Sequence, residues 1–257
     1  NMITIELIKQ LRDETGVSVM QCKKALEEVG GDIEKARIVL KKKSGAAAAK
    51  KSDRELGAGF LTMSSNDSKS AIITLLCETD FVAKNEEFTN AANKISQMAL
   101  EEGESVKESS TDMVNELIQK MGENIKVGAV KILSGNTGSY VHNGHIGASV
   151  SLKEKNDDLA RDIAMHITAM KPAFTTEADI SEAAKDNAKE IFQKEVDEQA
   201  SGKPEEMKAQ ILKGKIDSYF KDQVLMKQSF IKDPSKTIEQ LLKENNNSLE
   251  SFVMEKI

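Results

Sequence analysis

Two groups of residues in this chain could do chemistry by their type and spacing. The first is His142 and His145, which stand three residues apart. With the carboxylate of Asp80 or Glu78 they would supply the nitrogen and oxygen ligands of a metal site. The histidines flank Asn143-Gly144, however, which is a typical turn sequence between two predicted strands. We therefore favour a turn with two exposed histidines and expect no metal ligands in this chain.

The second group is the pair Asp80-Phe81, which follows a short apolar run and precedes a predicted helix. The run at residues 71–76 is almost wholly apolar, as in a strand buried on both faces. Asn85 is a good N-cap residue, with two glutamates after it where the helix dipole favours anions. We predict that the pair lies on a short loop between a rigid strand and a rigid helix, which would present an acid and a ring in a fixed place.

Phe81 also has a simpler interpretation, in which it and Val82 close the core beneath the loop. For an arbitrary sequence that case is the more frequent one, because most aromatic side chains are core residues. Asp80 as a magnesium ligand is the weaker alternative, since one carboxylate without neighbours holds a hard cation poorly. The burial of Phe81 therefore separates a structural role from a binding role.

The motifs of nucleotide-binding and hydrolytic enzymes are absent from the sequence. There is no G-x-x-x-x-G-K-[ST] loop, no G-x-G-x-x-G and no G-x-S-x-G. His166 lies on the apolar face of a predicted helix and is expected to be structural. Tyr140 and Tyr219 stand alone, which offers no platform for stacked bases. We expect a protein that is not an enzyme, binds no nucleotide directly, has no cofactor and acts on another protein.

The composition of the chain limits the kind of partner that it can bind and the cell compartment that we expect for it. Residues 1–56 hold 12 Lys or Arg against 9 Asp or Glu, whereas the rest holds 24 against 33, so the body of this 257-residue chain is acidic. An acidic body argues against nucleic acid as the main partner. No apolar run approaches the length of a membrane span, and the N-terminal segment lacks the pattern of a signal peptide. Two cysteines without paired spacing fit a reducing cytoplasm.

The first 45 residues predict three short helices. The first covers residues 4–14, the second opens at a capping box formed by Ser18 and Gln21, and the third is capped by Asp32. Such a small bundle is similar to the ubiquitin-associated fold and suits docking. Residues 46–56 are predicted to be a linker that continues a basic stretch. A helical, solvated linker is favoured there over a basic patch for ribosomal RNA or for a partner's acidic face.

Beyond residue 56 the order of elements predicts two comparable α+β halves, 57–137 and 138–257, each with a small antiparallel sheet and helices on one face. The predicted strands are 59–64, 70–77, 124–133, 139–142, 145–152, 224–231 and 249–254, and the predicted helices are 85–101, 111–121, 157–170 and 237–245. An insertion at 177–223 predicts an antiparallel helical hairpin, or short coiled coil. Two interpretations of it stay equal: an arm for oligomer or partner contacts, and a cover for a sheet.

Several motifs recur in a fixed order along the chain and carry a family resemblance. They are Leu11-Arg12, Thr15-Gly16, Cys22-Lys23-Lys24-Ala25-Leu26, Gly31-Asp32, Thr79-Asp80-Phe81-Val82-Ala83-Lys84, Met121-Gly122-Glu123-Asn124-Ile125, Gly138-Ser139-Tyr140, Ile146-Gly147, Asp162-Ile163-Ala164-Met165-His166, Lys171-Pro172 and Pro234-Ser235-Lys236-Thr237. Together they resemble bacterial elongation factor Ts, the guanine nucleotide exchange factor for the GTPase elongation factor Tu. The resemblance covers essentially the whole chain.

The resemblance implies a mechanism and a set of contact residues. In the family an Asp-Phe pair enters the GTPase beside its magnesium ion, so that the ion and the phosphates lose ligands and GDP leaves. Here the residues of that site would be Thr79, Asp80, Phe81 and Val82. Docking contacts carried over by position are Met20, Lys23, Met121, Gly122, His142 and Ile231. The bundle would contact the nucleotide-binding domain of elongation factor Tu, and the second half its third domain.

Three hypotheses for the function remain, and experiment can separate them. The leading one is an exchange factor; the second is a scaffold or RNA-associated adaptor with Phe81 in the core; the third, a hydrolase using His142 and Asp80, is strongly disfavoured. The hairpin leaves open a homodimer or a two-to-two complex with the GTPase. Family members often continue into a C-terminal helical module, so whether Ile257 is the native end also stays open.

Overall fold

The computed structural model describes residues 3–257, which divide into two compact units. The first takes in the described residues up to Thr137 together with 141–147 and 255–257, and the second comprises 138–140 and 148–254. Within the described range, no helix has the length and apolar character needed to cross a membrane. The α+β class predicted from the sequence is confirmed, since helices and small antiparallel sheets make up the chain.

Three helices open the first unit: α1 (Ile5–Thr15), α2 (Val19–Glu28) and α3 (Ile33–Ala49). Each begins at a side-chain cap, because Thr4, Ser18 and Asp32 each accept a backbone N–H from the first helical turn. Gly16 ends α1 in the left-handed conformation, with φ of 66°. The buried side chains that these helices share are Leu11, Val17, Cys22, Ala25, Leu26, Ala36 and Leu40.

One prediction for this region, the capping box, needs correction. The Ser18 hydroxyl accepts the Gln21 N–H, but the Gln21 side chain bonds to Gln119 instead of closing a capping box. Helix α3 continues to Ala49, four residues into the predicted linker, and Ser44 on its inner face is buried. The additional turn follows from its alanine-rich sequence, since alanine has the highest helix propensity.

The first sheet has strand order β1-β2-β3 and is antiparallel throughout, with β1 (Ala58–Ser65), β2 (Lys69–Cys77) and β3 (Ile125–Ser134). The central strand β2 is buried from Ser70 to Leu75, as the apolar run predicted. Its connection to β3 contains four helices: α4 (Asp80–Ala83), α5 (Glu86–Glu102), α6 (Val106–Ser109) and α7 (Thr111–Met121). Helix α5 covers the sheet with Phe88, Ala92, Ile95 and Ala99, all fully buried.

The second sheet has strand order β4-β5-β8, formed by β4 (Asn136–His142), β5 (Ile146–Leu152) and β8 (Leu249–Lys256). Helix α8 (Asp157–Met170) has the predicted bounds and buries Ile163 and Ile167 in the core of the second unit. A two-stranded sheet of β6 (Ser229–Phe230) and β7 (Asp233–Thr237) precedes α11 (Ile238–Glu244). Thr237 and Gln240 form the predicted capping box of α11.

The predicted strand at residues 224–231 is largely wrong. Only Ser229–Phe230 is a strand, and Leu225–Lys227 form a 3-10 turn. Val224 pairs with Phe174 in an isolated parallel bridge, where the N–H of Leu225 donates to the carbonyl of Phe174 at 2.9 Å. The chain then turns, because the N–H groups of Lys227 and Gln228 both donate to the carbonyl of Val224, at 3.0 and 3.2 Å. Val224 and Leu225 are both fully buried in consequence.

The insertion forms the predicted helical hairpin, with α9 (Glu182–Gln199) and α10 (Glu205–Lys221). Val196, Ala200 and Leu212 are buried between the two helices, and Ile180, Ala188, Phe220 and Val224 form a second cluster at the base. Among the described residues, neither cluster contains a strand residue of the three sheets. The hairpin thus has buried clusters of its own, and Met226 packs against both the cluster at its base and the core of the second unit.

Candidate functional site

The Asp80-Phe81 pair lies on a single turn of helix rather than on an irregular loop. Thr79 is extended, with φ of −129°, and its hydroxyl accepts the N–H of Val82 at 3.4 Å, so that α4 begins at Asp80. Asp80 occupies the first turn, where a carboxylate is favoured by the helix dipole. The correction has a local cause, because a threonine cap provides the hydrogen bond that starts a helix.

This helical turn divides its side chains between the core and the solvent. Val82 and Ala83 are buried in the core with Cys77 and Phe88. Phe81 is 87% exposed, and Asp80 is exposed beside it. The interpretation in which Phe81 closes the core is therefore wrong, although it is correct for Val82. A benzyl group left almost wholly in water beside an exposed carboxylate is available for contact with another protein.

Glu123 holds the strand end that leads into this turn. One carboxylate oxygen accepts the N–H groups of Glu78 and Thr79 at 3.0 and 3.1 Å, and the other accepts the Thr79 hydroxyl at 2.6 Å. In return the Glu78 carboxylate accepts the N–H of Asn124 at 2.6 Å and the Arg54 guanidinium at 3.2 Å. These hydrogen bonds, with the Asn124 N–H first, lower the pKa of Glu78 below its ordinary value.

The Asn124 side chain extends this network to the end of the basic segment. Its amide donates to the carbonyls of Ser52 and Arg54 at 3.3 and 2.9 Å. Neither Glu123 nor Asn124 was expected to have a role, although both belong to the Met121–Ile125 motif. The only feature of the sequence that could have pointed to these two residues is their position just before β3, the strand that pairs with β2.

Cys77 lies directly under the turn as a neutral thiol. Burial, and after it the charge of Glu123, raises the pKa of Cys77 to about 11. The thiol is thus protonated at neutral pH and can donate to the Thr79 carbonyl, 3.3 Å away. A protonated, buried thiol is a poor nucleophile, so its contribution here is packing and one weak hydrogen bond.

The structure connects Met121 and Gly122 directly to the turn. Gly122 ends α7 with φ of 78°, and the next residue is Glu123, which bonds to Thr79. Met121 is half-buried against the core, whereas Gly122 is exposed. These two expected docking residues therefore lie at the same end of the first sheet as Asp80 and Phe81.

Met20 and Lys23 share the outer face of α2, one helical turn apart. Met20 is 63% exposed, and Lys23 forms an ion pair with Glu27 at 3.8 Å. Their helix is attached to α7, since the Gln119 amide donates to Gln21 at 3.1 Å. The bundle and the helix that ends at Met121 are thus joined within one unit.

His142 and His145 flank a tight turn, as predicted, and both are exposed. Asn143 and Gly144 have φ of 51° and 71°, which are left-handed values suited to these two residue types. The Gly144 carbonyl accepts the Leu61 N–H at 2.6 Å, which fixes the turn beside β1. Across residues 3–257, no cluster of three or more histidine, cysteine or acidic side chains is arranged to hold a metal ion.

Ile231 lies in the second unit and is held by a buried histidine. The Nδ1 atom of His166 accepts the Ile231 N–H at 3.3 Å, and Nε2 lies 2.9 Å from the Gln228 amide oxygen. Nδ1 therefore carries no proton and Nε2 carries one, as in a neutral imidazole. His166 is fully buried, and this burial lowers its pKa. His166 therefore has a structural role, as expected, and that role is to hold the backbone of Ile231.

These features define a class of protein: an α+β chain that presents an exposed acid and aromatic ring on a rigid scaffold. The family model "Elongation factor TS" matches residues 78–257. Proteins named elongation factor Ts from Hydrogenobaculum sp. and Legionella pneumophila (strain Lens) are 36% and 37% identical to the chain, over 97% and 98% of it and 97% and 90% of their own lengths. That of Arthrospira platensis is 39% identical over 90% of the chain and 99% of its own.

The chain belongs to the elongation factor Ts family. The family resemblance seen in the ordered motifs is confirmed, and with it a place among translation elongation factors.

Proposed function

We propose that this protein is a guanine nucleotide exchange factor that binds elongation factor Tu carrying GDP and promotes release of the GDP. Family membership implies the partner, and the observation that carries the proposal is the exposure of Phe81, 87%, on a turn whose next two residues, Val82 and Ala83, are buried. The ring is available to a second protein and is held by a scaffold that does not need it for its own core.

The turn would act as a wedge beside the magnesium site of the GTPase. Phe81 would enter between helices of the partner, and Asp80 would bring a negative charge close to the ion and the phosphates. Thr79 and Val82 would frame the pair, with Val82 fixed in the core. Separation of the helices would remove ligands from magnesium and from the phosphates together.

Thermodynamic linkage sets the scale of the effect. A factor that binds its partner more tightly without GDP weakens GDP binding by the same ratio. A thousandfold ratio corresponds to about 4 kcal/mol. Burial of a phenylalanine covers about 150–250 Å², which at about 25 cal/mol/Å² gives roughly 4–6 kcal/mol as an upper limit. Phe81 alone is therefore large enough to matter.

The remaining surfaces would supply affinity that does not depend on the nucleotide. Met20 and Lys23 on α2 would contact the nucleotide-binding domain, and Met121 with Gly122 would continue that contact beside the turn. His142 and Ile231 would contact the third domain of the partner. Exposed methionine suits such a surface because its side chain is flexible and polarisable.

The proposed activity makes and breaks no covalent bond in the protein itself. The chain would bind no nucleotide of its own and need no cofactor, because the nucleotide and the ion belong to the partner. It would work in the cytoplasm, where elongation takes place. The hairpin is a candidate for contacts in a homodimer or a two-to-two complex.

Stopped-flow release of a fluorescent GDP from elongation factor Tu tests the proposal. The wild-type chain should accelerate release strongly, and Phe81→Ala should lose most of the acceleration while keeping the wild-type circular dichroism. Ile38→Ala is the matched control, because Ile38 is 69% exposed on α3, a helix that carries none of the proposed contact residues. No acceleration by the wild type, with salt-sensitive RNA binding in its place, would support the adaptor reading instead.

A further inference from the structure

Side chains replace the backbone ladder where β2 and β3 diverge. The last backbone pair of these antiparallel strands is Cys77 with Ile125. Beyond it, Glu78 and Thr79 face the segment Glu123-Asn124, and each segment offers a carboxylate to the N–H groups of the other. Hydrogen bonds to an ionised acceptor are about twice as strong as neutral ones. The junction is therefore fixed from both sides.

The Thr79 hydroxyl is central because it has a single proton. That proton is directed to Glu123, 2.6 Å away, which leaves the oxygen only able to accept from other donors. The donor it meets is the N–H of Val82, in the first turn of α4. Glu123 thus determines the direction of the hydroxyl that caps the helical turn.

Helix α4 is short, so its own backbone provides few hydrogen bonds that fix its orientation. It holds four residues, and its backbone bonds run from the N–H of Ala83 to Thr79 at 3.1 Å, from that of Lys84 to Asp80 at 3.2 Å and from that of Asn85 to Val82 at 2.9 Å. One helical turn is unstable alone, since nucleation orders several residues for few hydrogen bonds. The cap and the burial of Val82 and Ala83 therefore decide where Phe81 points.

We propose that Glu123 is the positioning residue for Phe81: through the Thr79 hydroxyl and two backbone N–H groups it holds α4 in the orientation that presents the ring. Glu123 itself is half-buried and acts through Thr79, with no contact to the GTPase required. The inference rests on the proposed function for its consequence in exchange, but the ordering of the turn is measurable without a partner.

The first experiment measures the mobility of the side chain at position 81 in the free protein. The chain contains no tryptophan and two tyrosines, so Phe81→Trp introduces a single tryptophan, which is excited selectively at wavelengths that tyrosine does not absorb. Time-resolved anisotropy should show a larger fast component when Glu123→Ala is added. Glu123→Gln should restore part of the order, because its amide oxygen can still accept the N–H groups of Glu78 and Thr79, whereas its NH2 group cannot accept the Thr79 proton. Glu195→Ala, which removes a carboxylate paired with Lys215 on the hairpin, is the matched control and should change nothing.

The second experiment measures GDP release from elongation factor Tu at saturating and at low concentrations of the factor, with Phe81 intact. Glu123→Ala should lower the saturating rate by about tenfold, as expected for loss of charged hydrogen bonds, and change the half-saturating concentration less. Glu123→Gln should recover part of the rate. If only the negative charge of Glu123 mattered, Glu123→Ala and Glu123→Gln would lower the rate of GDP release equally.

The outcomes separate the inference from the proposed function. Unchanged anisotropy in Glu123→Ala overturns the positioning role whatever the exchange rate. Increased mobility with a normal rate also overturns it, provided that Phe81→Ala abolishes exchange. If Phe81→Ala exchanges normally, the proposed function fails, and the anisotropy still decides the role of Glu123.

A second pair of variants covers the case in which Glu123→Ala does not fold. Thr79→Val breaks the same link from the other side with nearly the same shape, and Thr79→Ser keeps the hydroxyl. Mobility at position 81 should rise in Thr79→Val and stay at the wild-type value in Thr79→Ser. Equal mobility in the two overturns the inference.

Discussion

Two phenylalanines seven positions apart should respond in opposite ways to the same substitution. Phe81 is 87% exposed, whereas Phe88 in the first turns of α5 is fully buried against Cys77 and Val82. Phe88→Ala should reduce the free energy of unfolding by about 3–5 kcal/mol, because it removes a buried ring and leaves a cavity. Phe81→Ala should change it by less than about 0.5 kcal/mol, as for other surface positions.

Thermal unfolding followed by circular dichroism checks both values. At about 2–4 °C per kcal/mol for a chain of this size, Phe88→Ala should lower the midpoint by about 6–20 °C. Phe81→Ala should unfold within about 2 °C of the wild type. Below the transition, Phe88→Ala should still promote GDP release for each folded molecule, and Phe81→Ala should not.

One result would refute the reasoning. If Phe81→Ala lost as much stability as Phe88→Ala, the ring would be packed in the protein's own core, and no surface would be left for a GTPase. Phe81→Leu serves as the graded control, because it keeps an apolar group of smaller area. It should retain stability and a part of the exchange activity.

Three further predictions concern the second unit. Burial lowers the pKa of His166 from 6.5, so the unfolded chain binds a proton more readily than the folded chain. The free energy of unfolding should therefore fall as the pH drops below about 6.5. His166→Asn should weaken this pH dependence, as measured by urea titrations at several pH values. Gly138→Ala should lower the free energy of unfolding in urea titrations by about 1–3 kcal/mol, because its Cβ would lie 2.4 Å from that of Ala160. An unchanged free energy of unfolding would show that the strand and the helix can move apart freely. Thr237→Ala should cost about 1 kcal/mol by removing the cap of α11, and Thr237→Ser should cost less; equal losses would contradict a capping role.

Much of the fold could be predicted from local pattern. The bounds of α8 agree to the residue, and the caps at Ser18, Asp32 and Asn85 start the helices expected of them. These features succeed because a cap or an apolar stripe acts within one helical turn of its own residues. The strand predicted at residues 224–231 failed because the chain turns directly after Val224, whose carbonyl accepts the N–H groups of Lys227 and Gln228.

The candidate site divides in the same way. Its composition and its place between a buried strand and a capped helix are local, so the Thr79–Val82 segment could be identified from sequence. That Phe81 is exposed while Val82 is buried depends on the core that α5 forms with the first sheet. No spacing rule predicts it, since both residues are apolar neighbours.

The amino-acid sequence by itself determined most of the helices and strands, because caps and apolar stripes act among neighbours along the chain, and its ordered motifs identified the family. Only the tertiary structure decided how the site is held. Glu123 meets Thr79 across 44 positions, and His166 meets Ile231 across 65. Such contacts exist because strand pairing and helix packing bring distant backbone N–H groups within about 3 Å of a side-chain acceptor, and that distance is set by the whole fold.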